Sequence, residues 1–198
     1  MLTSTYTLVA LSVEQSRARL EVQALLERWR PGAWWGEPPA MRQYQQACEA
    51  LRRVLDDCHW RKLDKFVLPA LRRCGAVADG LLDELDGLSR HAADAGSAAE
   101  VAASEGDPGC LAAIERCCQL LLERLEREEH ELMPLARSKI SGEMWFAIAN
   151  QMLAHDSYQN EQRVGAGAAL SAPGSPAFAK RKPSGAQSGV ERFLPLAS

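Results

Sequence analysis

Two segments of this 198-residue chain end in the same pattern, in which an apolar pair precedes a proline and a small or apolar pair follows it. The first covers residues 58–73, with sequence CHWRKLDKFVLPALRR, and the second covers residues 123–138, with sequence ERLEREEHELMPLARS. Each segment closes a long stretch in which apolar residues recur every three or four positions, which is typical of amphipathic helices. The duplication therefore indicates a fold built from long helices.

Hydrophobic spacing predicts four main helices and a shorter fifth one, with polar or Gly- and Pro-containing links between them. We expect these helices over residues 7–29, 40–73, 77–93, 107–136 and 141–162. Pro69 lies inside the second predicted helix, where a bend or an early end is expected. Residues 30–40, with Trp34 and Trp35, and residues 93–109 are predicted to be loops.

These elements predict an all-α fold, an up-down-up-down four-helix bundle with a short additional C-terminal helix, since short links favour antiparallel neighbours. We assign residues 1–162 to this domain. Residues 163–198 are dominated by Ala, Gly, Ser and Pro, which predicts a disordered tail. The apolar residues 193–196 at its end are either a frayed terminus or a tag that docks on a protein partner.

The composition is typical of a soluble globular protein, with 46% hydrophobic and 25% charged residues. A net charge of −3 gives no reason to expect nucleic-acid binding, and no apolar run reaches transmembrane length.

The N-terminus lacks the basic region of a secretory signal. The six cysteines include no CxxC pair, so we expect small buried side chains in a reducing compartment. We therefore expect a cytoplasmic protein that binds neither nucleic acid nor a membrane.

Side chains that could bind a metal precede each proline. His59 and Asp64 lie in the first segment, and Glu128, Glu129 and His130 lie in the second. Residues four apart share one face of a helix, so a His and a carboxylate at that spacing can bind one metal. Two such helix pairs can hold a two-metal centre inside a four-helix bundle.

The duplicated pattern resembles the hemerythrin-like (HHE cation-binding) family over about residues 8–162, most specifically in DKFVLPAL and EHELMPLA. In that family, each half of the bundle carries a His, a Glu four residues later, and a proline ten residues after the His. His59 matches the His position of the first segment, and Glu128 matches the Glu position of the second. Leu63 and Arg124 stand at the other two positions.

The resemblance implies a hemerythrin-like four-helix bundle with a non-heme iron centre that responds to oxygen or nitric oxide. His59 and Glu128 would be its matching ligands, with Glu129, His130, Asp64 or Glu14 as helpers in this chain. A neutral imidazole with carboxylates suits iron, manganese or zinc. The first interpretation is therefore a metal-binding or small-ligand-responsive regulatory protein with an incomplete ligand set.

A second interpretation is a metal-free helical bundle that acts through protein contacts, with the tail and the Trp34–Trp35 loop as working surfaces. Leu63, Leu125 and salt bridges would then fill the metal space. An inward Glu128 would need a partner, because an unpaired buried charge is costly. Arg124, four residues earlier on the same face, is the candidate.

Two further functional classes are disfavoured by the sequence. A thiol-based redox sensor at Cys117, Cys118 or Cys58 would need a feature that lowers the pKa of a thiol, and none is recognisable. A complete set of acid, base and nucleophile is also missing, so we expect a binding or regulatory protein and not an enzyme.

Overall fold

The structure of the protein is a computed structural model that describes residues 2–30, 40–59, 61–75 and 78–170, with side chains described from residue 5 to residue 161 of these ranges. The described residues are helical apart from short turns and contain no strand, which confirms the all-α prediction. The predicted loop with Trp34 and Trp35, and residues 171–198 of the predicted tail, lie outside the described residues.

The helices follow one another along the chain with short connections. Those of the described residues are α1 (Leu2–Trp29), α2 (Met41–His59), α3 (Leu68–Arg72), α4 (Asp79–Glu105), α5 (Gly109–Arg127), α6 (Met133–Lys139) and α7 (Gly142–Leu170). Two π-helical turns interrupt this series, the first π-turn at Leu63–Val67 and the second π-turn at Glu128–Leu132. No described helix combines the length and the apolar character that a membrane crossing would require.

Four of the helices enclose most of the apolar core. Helix α1 packs against α2 and α5, and helix α4 also packs against α2 and α5. Backbone contacts divide the chain into one compact unit at Met1–Gln159 and another at Asn160–Ser198, of which the structure describes the last residues of α7. The last helix is longer than predicted, because α7 has 29 residues and continues to Leu170, past the predicted end at residue 162. The predicted domain boundary after residue 162 stays a prediction.

Helix α4 is longer than the sequence suggested, and the prediction of a loop over residues 93–109 is wrong for most of that stretch. The helix continues to Glu105 and ends at Gly106, which has a left-handed φ of 70°. Alanine is the best helix former, and the small residues Ala92, Gly96, Ala99 and Ala103 are all buried on one face. A stripe of small side chains therefore lets α4 pack closely against its neighbours, although it looks like a loop in composition.

Both π-turns stand in the same place relative to a proline. Leu63 lies six residues before Pro69, and Glu128 lies six residues before Pro134. In each turn the residue just before the proline donates its backbone N–H to the carbonyl five residues earlier, from Leu68 to Leu63 and from Met133 to Glu128. Proline has no N–H and clashes with a regular helix before it, so each duplicated segment widens there and restarts as a new helix.

The prediction of one helix over residues 40–73 is wrong, because α2 stops at His59, ten residues before Pro69. Pro69 itself lies in the first turn of α3. A proline is well tolerated in the first turn of a helix. Trp145, Ile148 and Met152, expected on one side of the last helix, are all buried. They pack in one cluster with the residues around the first and second π-turns.

Candidate functional site

A layer of polar side chains separates two apolar clusters in the interior. Along α1, Leu11 belongs to one cluster and Ala18 to the other, with Gln15 between them. Along the second segment, Leu125 and Leu132 belong to different clusters, with Glu128 between them. We call the side chains that meet at this level the polar layer, namely Gln15, Arg61, Asp64, Arg124 and Glu128.

Glu128 is the centre of the polar layer, and its side chain is fully buried. Arg61 donates from Nη1 to Oε2 at 2.7 Å and from Nη2 to Oε1 at 2.6 Å, and Gln15 donates from Nε2 to Oε2 at 2.9 Å. Arg124 adds an ion-pair contact from Nε to Oε1 at 3.0 Å. Because an unpaired buried carboxylate is strongly destabilising, these contacts explain why Glu128 can occupy the interior.

Asp64 links the same two arginines at the edge of the layer, where its side chain keeps 16% of its surface exposed. It accepts from Arg124 Nη2 and, at 3.2 Å, from Arg61 Nη2. Burial, together with the nearby charge of Glu128, raises the pKa of Asp64 by more than the guanidinium groups of Arg124 and Arg61 lower it. The polar layer therefore contains two guanidinium groups and two carboxyl groups.

The guanidinium of Arg61 is oriented by its own segment. Its Nε donates to the backbone oxygen of Cys58 at 3.0 Å, which leaves both Nη atoms free to face Glu128 and Asp64. Burial alone would lower the pKa of Arg61, but the charges of Glu128 and Asp64 outweigh burial and raise it. Arg61 therefore stays charged in the interior.

The five candidate metal ligands do not converge. Asp64 and Glu128 both belong to the polar layer, where Arg61 and Arg124 bridge them. His59 is exposed and lines an open cleft of about 670 Å³, to which Asp64 and Arg124 also contribute.

Glu129 and His130 lie on the surface. Glu129 forms an ion pair with Arg19 at 2.7 Å, and His130 Nδ1 lies 2.9 Å from the backbone oxygen of Glu126. Glu14, the further helper considered above, accepts from the backbone N–H of Lys62 at 2.9 Å. In the part of the chain that the structure describes, no group of three or more His, Cys, Asp or Glu side chains is arranged to hold a metal ion.

The contact between Arg124 and Glu128 was predicted from their spacing, and the structure confirms it. Sequence reasoning missed Arg61 and Gln15. Gln15 had one recognisable signal, because it occupies a helical position on the same face as the buried residues Leu11, Ala18 and Val22 of α1. Arg61 had no such signal in the sequence, because it lies between α2 and the first π-turn, where the regular helical pattern is interrupted.

The thiols of Cys117, Cys118 and Cys58 lie in surroundings that disfavour the thiolate. Cys117 and Cys118 are fully buried, and burial raises the pKa of each to about 12. Burial also raises the pKa of Cys58. A thiol with such a pKa is protonated at neutral pH and is a poor nucleophile.

A second surface depression runs along α1. It has a volume of about 680 Å³, and we call it the α1 groove. Helix α6 contributes Arg137, and α1 contributes Arg17 with several apolar and small polar side chains, among them Leu8, Val9, Ser12, Val13 and Leu20.

Comparison with models of known protein families, with curated proteins and with solved structures finds no match to this chain. The function proposed below therefore rests on the geometry of the chain's own residues.

Proposed function

We propose that this protein is a metal-free, hemerythrin-like helical bundle that acts as an interaction or regulatory protein and not as an enzyme. One observation carries this proposal: both carboxylate oxygens of Glu128 accept hydrogen bonds from Arg61. Glu128 stands at the position of the family's Glu ligand. The guanidinium supplies there the positive charge that a metal ion would otherwise supply.

The four-helix bundle is part of the proposal. The contacts of α1 and α4 with both α2 and α5 support a ring of four helices, and the short turn at Gly106 between α4 and α5 supports antiparallel neighbours. The π-turn before each proline supports an internal duplication of the kind that the hemerythrin-like pattern implies.

Iron does not fit this residue set. A metal ion at Glu128 would have to displace Arg61, Arg124 and Gln15, and it would then lie beside two buried cations. His59 is exposed, and Leu63, at the Glu position of the first segment, has no atom that can bind a metal. The side chains of the polar layer are therefore arranged to form ion pairs with one another and not to coordinate a metal ion.

An interaction role is supported by the apolar surface that the helices leave open. Tyr6, Val9, Val13 and Leu20 of α1 are each more than half exposed, as are Phe146 and Leu153 of α7. Such exposed apolar side chains mark contact surfaces when they are grouped. Partner binding through the tail and a cytoplasmic location remain predictions.

Metal analysis tests this proposal directly. Protein purified without an affinity tag is treated with ferrous iron under anaerobic conditions, desalted and analysed by mass spectrometry, beside His59→Ala and Glu128→Gln. The matched control is Glu129→Gln, because Glu129 is the exposed neighbour of Glu128. We expect all four proteins to contain far less than one metal per chain.

Near-stoichiometric iron that is lost in Glu128→Gln and kept in Glu129→Gln would contradict the proposal. That result would favour the oxygen- or nitric-oxide-responsive interpretation, and loss of the iron in His59→Ala as well would assign the second ligand.

A further inference from the structure

Helix α1 is apolar on two opposite faces. Its inner face carries Leu11, Ala18, Val22 and Leu25, all buried. Its outer face carries Tyr6, Val9, Val13 and Leu20, which are exposed by 65%, 56%, 65% and 66%. At about 100° per residue, the two sets point roughly half a turn apart. The outer face is therefore additional to the surface that α1 uses for folding.

The outer face has the spacing of a coiled-coil seam. Positions 6, 9, 13, 16 and 20 alternate in steps of three and four residues, which is the pattern of heptad positions a and d. The fourth of these positions is the exposed Ser16. Ser12, beside the seam, is short and exposed, so the backbone of a second helix can approach α1 closely.

The charged side chains that line the α1 groove have one sign. Among the described residues that line the α1 groove, the charged ones are Arg17 and Arg137, and no carboxylate lines it. Arg17 is 79% exposed and pairs with Glu21 of its own helix at 2.9 Å. Arg137 is exposed and has no ion-pair partner among the described residues. A complementary partner would therefore present carboxylates on both sides of its apolar stripe.

We propose that the α1 groove binds an amphipathic helix of another protein, with apolar residues at heptad positions a and d and acidic residues beside them. This inference rests on the proposed interaction function and names its partner class. A second copy of this chain fits less well, because a symmetric contact would bring two groove surfaces of the same positive charge together.

Peptide binding to the full chain tests the inference. The probe is a fluorescent three-heptad peptide with Leu at positions a and d and Glu at positions e and g, and the comparison peptide carries Lys in place of Glu. Fluorescence anisotropy measures the Kd. We expect a micromolar Kd for the Glu peptide and binding weaker by at least about tenfold for the Lys peptide.

Two variants locate the binding surface. Val9→Ser/Val13→Ser removes two exposed apolar side chains from the seam, and we expect the Kd of the Glu peptide to rise at least about tenfold. The matched control is Val101→Ser, because Val101 is a valine of α4 with 59% exposure. The Kd of the Glu peptide for this variant should equal that for the wild type. Arg137→Glu should weaken binding of the Glu peptide and strengthen binding of the Lys peptide.

Three results would overturn the inference. They are failure of the Glu peptide to bind, equal affinity for the Glu and Lys peptides, and an unchanged Kd in Val9→Ser/Val13→Ser. A dimer in sedimentation that the double variant dissociates would also overturn it, since the groove would then belong to a second copy. Metal analysis of the same sample separates the two proposals: metal-free protein without peptide binding overturns only this inference, whereas stoichiometric iron overturns the proposed function.

Discussion

Arg61 and Glu128 form a two-point contact in the interior, in which both Nη atoms meet both carboxylate oxygens while the two side chains keep 3% and 0% of their surface exposed. The attraction in such a pair is largely offset by the loss of hydration of both charges. Its net contribution to stability is therefore small as long as both partners are present. Removal of one partner, however, leaves the other charge buried.

Arg61→Met should lower the free energy of unfolding by about 3–5 kcal/mol, because Glu128 loses its two-point partner and keeps Arg124 and Gln15. Arg19→Met is the matched control, since its partner Glu129 is 55% exposed, and its cost should stay below about 1 kcal/mol. The double variant Arg61→Met/Glu128→Leu should recover most of the loss. Urea denaturation measures all three, and equal costs for the two single variants would contradict a buried pair.

Two glycines of α4 should respond differently to alanine. A Cβ at Gly87 would meet no atom within 4 Å, so Gly87→Ala should stabilise the protein by about 0.5–1 kcal/mol through helix propensity. A Cβ at Gly96 would lie 2.9 Å from Leu55 Cδ1, and the movement of that side chain should cancel the gain. Gly96→Val should cost about 1–3 kcal/mol. Thermal denaturation checks these values, and equal stabilisation by both alanines would contradict close packing at Gly96.

One cysteine should react much faster than the others in the native protein. Cys74 is partly exposed, whereas the remaining five free cysteines are buried. Labelling with a thiol reagent at neutral pH should give one fast equivalent, and Cys74→Ser should remove it. Rapid labelling of two or more thiols in the folded state would show that the interior opens readily, and it would restore the redox interpretation.

Alkaline pH should weaken the contribution of Cys117 to stability. Its pKa is raised to about 12 by burial, whereas in the unfolded chain it titrates near its ordinary value of 9.0. Between these values the native state binds more protons than the unfolded state, so stability falls as pH rises. The stability difference between the wild type and Cys117→Ala should therefore shrink by about 2 kcal/mol between about pH 8 and about pH 10.5.

Leu121→Ala is the control for this measurement, because it removes a buried side chain without changing any titrating group. Its cost should stay constant over the same pH range. A constant difference for Cys117→Ala as well would show that this thiol does not titrate differently in the two states.

The all-α fold could be predicted because helical periodicity is a local property of the chain, and the contact from Arg124 to Glu128 could be predicted because i,i+4 spacing is local as well. The end of α4 was missed, since Ala99 and Ala103 gain their helical role from neighbours that composition does not reveal. The burial of Arg61 and its pairing with Glu128 could not be predicted, because they depend on which segments meet across the core.

The polar layer has a consequence for how the helices align along their axes. A shift of one helix by a single turn, about 5.4 Å, would place Arg61 or Glu128 against leucines such as Leu63 and Leu132, with no counter-charge. Apolar contacts alone tolerate such a shift, because one leucine replaces another. Ion pairs do not tolerate such a shift, because each charge would lose its partner. The polar layer can therefore select one axial register of the helices among several that bury similar apolar surface.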